Sequence, residues 1–323
     1  MALRLRWRPS TSSATTGRRS PTPSGPAASA RSFSRGERVD GPVVTGTDGS
    51  AAAWAAVEWA AAEARLHGRP LRVVHALHVA RYEHGLRVMP PPHDLLHQAG
   101  ERILAGTLDR LRDAFPGLEV SRALSADMAA ATLAEEAVRA FEVVVGHEGH
   151  GKVTDLVLGS VGLGASGHCP VVIVRGRAAH PCREIVVAVD PARDCSAELA
   201  YGFREASAHG ALLRVLHVVA LSHLLRSGSE APAPPLADAW HAIRRVLAPW
   251  RGRYPAVRLR ADVVQGIVVP ALLGASLGAD LLVVGLTPPQ EQAVPGPRWT
   301  HRDLISRVHC PLALVSRRRD AGL

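Results

Sequence analysis

The chain repeats itself. A shift of 142 residues lays Asp48 on Asp190, Trp59 on Tyr201, Glu63 on Glu205 and Ala64 on Ala206. The same shift lays His67-Gly68 on His209-Gly210, Leu71-Arg72-Val73 on Leu213-Arg214-Val215, and His75 on His217. Near the end of each copy the shift is 141, and Cys169-Pro170 falls on Cys310-Pro311. So many matches in one register indicate a tandem duplication, so the 323 residues are read as two copies of one unit. The expected units are 40–176 and 183–317, with a linker near Arg175–Arg183.

Each unit alternates short apolar runs with helical stretches. In the first, the expected strands are Pro42–Thr47, Leu71–Leu77, Leu118–Leu124, Glu142–Gly146 and Pro170–Val174. The expected helices are Ala51–His67, Asp94–Phe115, Ala126–Arg139 and Ser160–Gly167. Ser50 is placed to cap the first helix and Gly68 to stop it. In the second unit, strands are expected near Glu184–Val189, Leu212–Val218, Val257–Val264, Asp280–Gly285 and Leu312–Val315. Unbroken apolar strands alternating with helices specify a parallel sheet covered on both faces.

Residues 1–39 are rich in Ser, Thr, Pro, Gly and Arg without hydrophobic periodicity, which reads as a disordered tail. The net charge is +9, but Lys152 is the only lysine, and arginines crowd both ends of the chain. Such an arginine bias is weak support for a nucleic-acid groove, and no dedicated nucleic-acid partner is expected. The four cysteines form no CxxC pair and read as reduced thiols of a cytoplasmic protein. No HExxH pair and no apolar run of membrane-spanning length is present, so no catalytic metal motif and no membrane span is expected.

One stretch carries chemistry. Val143 to Val161, VVVGHEGHGKVTDLVLGSV, runs from a buried strand into glycines and closes on Gly159-Ser160 before an apolar helix. Glycines let backbone approach a ligand, and the first turn of a helix presents unpaired N–H groups to phosphate.

Taken with VVTGTDGS (Val43–Ser50), WAAAEA (Trp59–Ala64), VVHAL (Val73–Leu77) and GHCPVVIV (Gly167–Val174), this motif resembles the universal stress protein family in its two-domain form. The glycine spacing is the family's G-2x-G-9x-G-(S/T). The resemblance implies two tandem open-sheet α/β sandwich domains, each a five-stranded parallel sheet in the order 3-2-1-4-5. In that order the carboxyl ends of strands 1 and 4 flank a switch point where ligands bind. It further implies ATP there, with Mg²⁺ as a possible companion. Gly46 and Ala76 would line the base pocket and Asp48 would meet the ribose or adenine edge. Gly146, Gly149, Gly159 and Ser160 would hold the phosphates, with Val161 supporting through its backbone. Asp48 can equally serve as a turn residue, and Ser160 as a helix cap. His75 reads as structural because His217 repeats it. His147, His150 and Lys152 are either phosphate partners or solvated. Glu148 sits between the glycines, where a carboxylate repels a triphosphate unless it points away or acts through Mg²⁺.

The second unit keeps Asp190 and Gly285 but has Pro288 for the second glycine and Thr300-His301 for the Gly-Ser pair. It is expected not to bind ATP in the same way. The functional expectation is a stress-associated, ATP-binding regulatory protein rather than an enzyme, with weak ATP hydrolysis left open. The alternatives are a non-binding interaction scaffold and a slow ATP-hydrolysing or nucleotidyl-transfer enzyme. The units are expected to pair within the chain through Val171–Val174 and Leu312–Val315, with a further homodimer possible.

Overall fold

The computed structural model describes residues 41–77, 93–147, 168–176, 182–220, 236–286 and 299–316. The first half comprises β1 (Val43–Gly46), α1 (Ala51–His67), β2 (Leu71–Ala76), α2 (His93–Ala114), β3 (Val120–Ser125), α3 (Ala129–Ala137), β4 (Glu142–Gly146) and β5 (Val171–Val174). The second comprises β6 (Glu184–Ala188), α4 (Ser196–His209), β7 (Leu212–Ala220), α5 (Leu236–Arg253), β8 (Leu259–Gly266), α6 (Val268–Ser276), β9 (Leu281–Leu286), α7 (Trp299–Arg307) and β10 (Leu312–Ser316). The tail expected at 1–39, the helix expected at 160–167 and residues 287–298, which include Pro288, lie outside the described residues.

The ten strands form one sheet in the order β3-β2-β1-β4-β5-β10-β9-β6-β7-β8. Each half therefore has the order 3-2-1-4-5, and neighbours within a half run parallel. The exception is the seam, where β5 and β10 pair antiparallel. Val172 lies opposite Ala313, its own counterpart in the repeat. Val171 faces Leu314 and Ile173 faces Leu312, so the register is the same from either side. An approximate two-fold axis passes through this pair and relates the halves.

Strand composition follows from burial on two faces. Val143, Val144 and Val145 of β4 and all four residues of β5 are buried. Each such valine contributes roughly 1.5–3 kcal/mol on leaving water. Helices α1, α2, α4 and α5 cover one face of the whole sheet, and α3, α6 and α7 the other. The alanines of α1 let it lie close: Ala56, Ala60, Ala61 and Ala64 are fully buried. Ser50 caps α1 by accepting from Ala53 N at 3.1 Å, and Gly68 ends it in the left-handed region at φ 62°.

Some boundaries lie two or three residues from those expected. β3 starts at Val120 and β8 at Leu259 because a turn first consumes the preceding residues. In those turns Leu118 N donates to Phe115 O at 3.2 Å, and Val257 N to Tyr254 O at 3.2 Å. α3 starts at Ala129 because Ser125 Oγ first accepts from Asp127 N at 3.1 Å.

Candidate functional site

Strands β1 and β4 are neighbours, with Thr45 opposite Val144, and the chain leaves them toward opposite sides of the sheet order. Four expected site residues lie at this end of the sheet: Gly46 and Asp48 at the end of β1, Ala76 at the end of β2, and Gly146 at the end of β4. All four are half-buried, unlike the strand cores behind them. Gly149, Gly159, Ser160 and Val161 lie outside the described residues, as do Glu148, His150 and Lys152.

Asp48 shapes the turn that follows β1. Its Oδ1 accepts from Ser50 N at 2.9 Å, and Thr47 Oγ1 accepts from Gly49 N at 3.2 Å. Gly49 takes φ +80°, which favours glycine, and a Cβ there would meet the Ile103 side chain at 3.3 Å. The residue after β1 is thus held in place by a turn, a cap and α2. A Cβ at Gly46 would touch Leu133 at an ordinary 3.7 Å. Packing of the described residues therefore does not demand glycine at 46.

His75 is structural. Its Nδ1 bonds Thr47 O at 2.7 Å, and its counterpart His217 bonds Val189 O at 3.0 Å. His147 meets the Arg175 guanidinium, which also donates to Ser306 O of the second half at 2.6 Å. Arg175, at the start of the expected linker, stands one residue beyond β5, beside the strand that ends in Gly146. Gly100 was also missed. A Cβ on it would come within 2.7 Å of Leu124 and Leu77, so α2 crosses the ends of β2 and β3 in close contact.

The equivalent end of the second half differs. Asp190 makes the same kind of turn, accepting from Ala192 N at 3.1 Å, and Arg193 lies 3.4 Å from its other oxygen. Gly285 has a carboxylate against it: a Cβ there would fall 2.7 Å from Glu198 Oε1 and 3.2 Å from Oε2. Glu198 belongs to the first turn of α4 and is 8% exposed. Its counterpart in α1 is Ala56, fully buried. No repeat signal marks Glu198, because the other copy has alanine.

A cavity of about 740 Å³ lies away from both strand ends, between α5 and the outer strands β7 and β8. Its one acidic residue, Asp262, is already bonded to Arg214 at 2.7 Å and Arg260 at 3.0 Å. It is not at the switch point of either half. None of the four cysteines is in a disulfide. Among the described residues no helix is long and apolar enough to cross a membrane.

Residues 41–175 and 181–316 each match the universal stress protein family. A universal stress protein of Mycolicibacterium smegmatis is 30% identical over 263 residues, covering 75% of this chain and 86% of that protein. One from Mycobacterium tuberculosis is 34% identical over 260 residues, covering 75% and 85%. The crystal structure of a universal stress protein from Archaeoglobus fulgidus covers 87% of this chain and 98% of its own, at TM-score 0.62 and 16% identity.

Proposed function

This chain belongs to the universal stress protein family, and from that premise we propose that it is a regulatory protein that binds an adenine nucleotide, ATP, in its first half. Its units are 40–176, which takes the ligand, and 183–317, which does not. Gly46 and Ala76 line the base, Asp48 meets the ribose or adenine edge, and Gly146, Gly149, Gly159 and Ser160 hold the phosphates with Val161 behind them. Mg²⁺ bridges phosphate to a carboxylate if Glu148 faces the ligand. Occupancy acts by biasing conformation or partner contact, which requires no catalytic group, and none is assigned.

The observation that carries this reading is the contrast at the two strand ends. A carboxylate lies against Gly285 in the second half, where a phosphate would need backbone N–H groups. The first half has Ala56 at that position and leaves its glycine free of that charge. Equilibrium binding of labelled ATP to the full chain tests the reading. One equivalent is expected, abolished by Gly149→Ala or Gly159→Val and unchanged by substitution of Thr300. Absence of binding at millimolar ATP would sink it and leave the interaction scaffold, the reading that Glu148 favours.

A further inference from the structure

The two-fold seam brings together four residues that the repeat had marked only as pairs. Glu63 and His67 of α1 meet their counterparts Glu205 and His209 of α4. His67 Nε2 lies 3.0 Å from Glu205 Oε2, and His209 Nε2 lies 3.0 Å from Glu63 Oε1. These are the same contact taken from either side of the axis. The contacts within each helix are 3.4 Å for His67–Glu63 and 4.0 Å for His209–Glu205. Glu63, Glu205 and His209 each place a ligand atom within 4.8 Å of the other two.

We propose that Glu63, Glu205 and His209 bind one divalent first-row transition metal ion of the zinc class between the two halves, with His67 beside them. The donor set suits it: imidazole nitrogen and carboxylate oxygen are both zinc ligands. The spacing suits it as well. Ligand atoms at the corners of a tetrahedron with bonds of about 2.0–2.1 Å stand about 3.3–3.4 Å apart; one atom from each of the three lies within 4.8 Å of the other two, with His209 Nε2 3.0 Å from Glu63 Oε1 and 4.0 Å from Glu205 Oε2.

A second observation points the same way. Glu63 and Glu205 are 2% and 1% exposed, yet Glu63 Oε2, with His67 Nε2 3.4 Å away, makes no hydrogen bond. A buried carboxylate oxygen without a hydrogen bond is costly, and a cation answers it. Ions can enter from the His209 side, where the side chain is 40% exposed. Arg204 stands beside Glu205 at 2.8 Å and stacks on Phe141, so it supports one carboxylate and leaves its Oε2 facing the imidazoles. The bound ion would join α1 to α4 and hold the halves together. This site is independent of the nucleotide.

The test uses the full chain, stripped with chelator and free of nucleotide, titrated with Co²⁺ and Zn²⁺. One equivalent of Co²⁺ giving a tetrahedral-type visible spectrum, displaced by Zn²⁺, is expected, together with a rise in the unfolding midpoint. His209→Ala, at a half-exposed position that tolerates truncation, should weaken binding at least 10-fold and remove the midpoint rise. Glu205→Gln should do the same. His241→Ala, on the exposed face of α5, should change neither. No stoichiometric binding, or binding of undiminished affinity in folded His209→Ala, overturns the proposal and marks any uptake as adventitious.

Discussion

The two halves share a strand order, a histidine on β2 or β7 and an Asp turn, and among the described residues their largest difference at the switch point is one residue of the first helix. Ala56 in α1 is fully buried and small, whereas Glu198 in α4 sets a carboxylate against Gly285. A duplicated sheet keeps its scaffold while the side chains at its switch point diverge, and under the proposed function Glu198 is one of those that keep phosphate out of the second half. Asp190 is retained in the second half, so an Asp at this position does not by itself distinguish the two halves. It persists because its carboxylate caps the turn, accepting from Ala192 N at 3.1 Å.

The strongest way to break this contrast is to copy the second half's residue into the first. Ala56→Glu puts a carboxylate at a position with 0% exposure. It should cost about 3–5 kcal/mol, the scale for an unpaired buried charge. It should also weaken ATP binding roughly 100-fold or more by repulsion. Ala56→Gln separates charge from size: in chain that remains folded by circular dichroism, it should retain more affinity than the glutamate. Equal affinities for the two variants would mean that Glu198 is not what silences its half.

A second difference is one of helix height. Gly202 in α4 stands where α1 has Ala60. A Cβ on Gly202 would fall 2.2 Å from Val187 Cγ2, so α4 must lie closer to β6 than a side chain permits. Gly202→Ala should therefore destabilise the protein by about 2 kcal/mol through overpacking. Ala60→Gly should cost about 1 kcal/mol, the helix-propensity difference. Urea unfolding of both variants checks the pair, and a stabilised Gly202→Ala would show that the two helices sit at the same height.

A third difference lies in charge at the seam. Glu142 opens β4 fully buried, where β9 has Leu281. Burial, and then the charges of Glu205 and Glu63, push its carboxyl up to about 8, against the pull of Arg204 and the hydrogen bond from Tyr201 Oη at 3.0 Å. A raised carboxyl means that the fold favours the neutral form. Its stabilising contribution is complete below the ordinary value of 4.5 and is lost as pH rises through 8. Glu142→Gln keeps an acceptor for Tyr201 and carries no charge. From pH 6 to pH 9 it should gain on the order of 2 kcal/mol relative to the parent chain in chelator. Parallel stability profiles for the two proteins would show that Glu142 is not held neutral.

The repeat could be read from the chain, because its pattern is spread over many residues. The strand order and the pairing of β5 with β10 rest on the family resemblance, and the antiparallel sense of that pairing appears only in the structure. The turn at Asp48 and the caps of α1, which are local, could also be read. The residues that distinguish the halves could not. Glu198 has no counterpart, and only the packing of α4 over β9 brings it to Gly285. Glu63, His67, Glu205 and His209 stood out as matches in the repeat, but their meeting depends on the two-fold axis, which no periodicity encodes. Arg175 looked like linker because basic residues follow it on the way to Arg183. Its contact with His147 appears only once β5 lies beside β4.

The smallest contrast concerns how each half starts its first helix. Ser50 caps α1 with its own hydroxyl, bonded to Ala53 N at 3.1 Å. In α4 the N-cap residue is Cys195, which makes no side-chain cap bond. There Asp194 serves instead, its Oδ1 accepting from Ser196 N at 3.0 Å. Ser50→Ala and Asp194→Ala should therefore each cost about 1 kcal/mol, as lost helix caps do. Their effects on ligand should differ, because Ser50 also closes the Asp48 turn through its backbone N–H, 2.9 Å from Asp48 Oδ1, and although alanine keeps that N–H, loss of the cap frees the residue that positions it. Loosening that turn should lower ATP affinity several-fold in Ser50→Ala, whereas Asp194→Ala should leave it unchanged. Binding isotherms beside thermal melts decide the matter. Equal losses of affinity in both variants would locate nucleotide sensitivity in overall stability rather than in the turn at the end of β1.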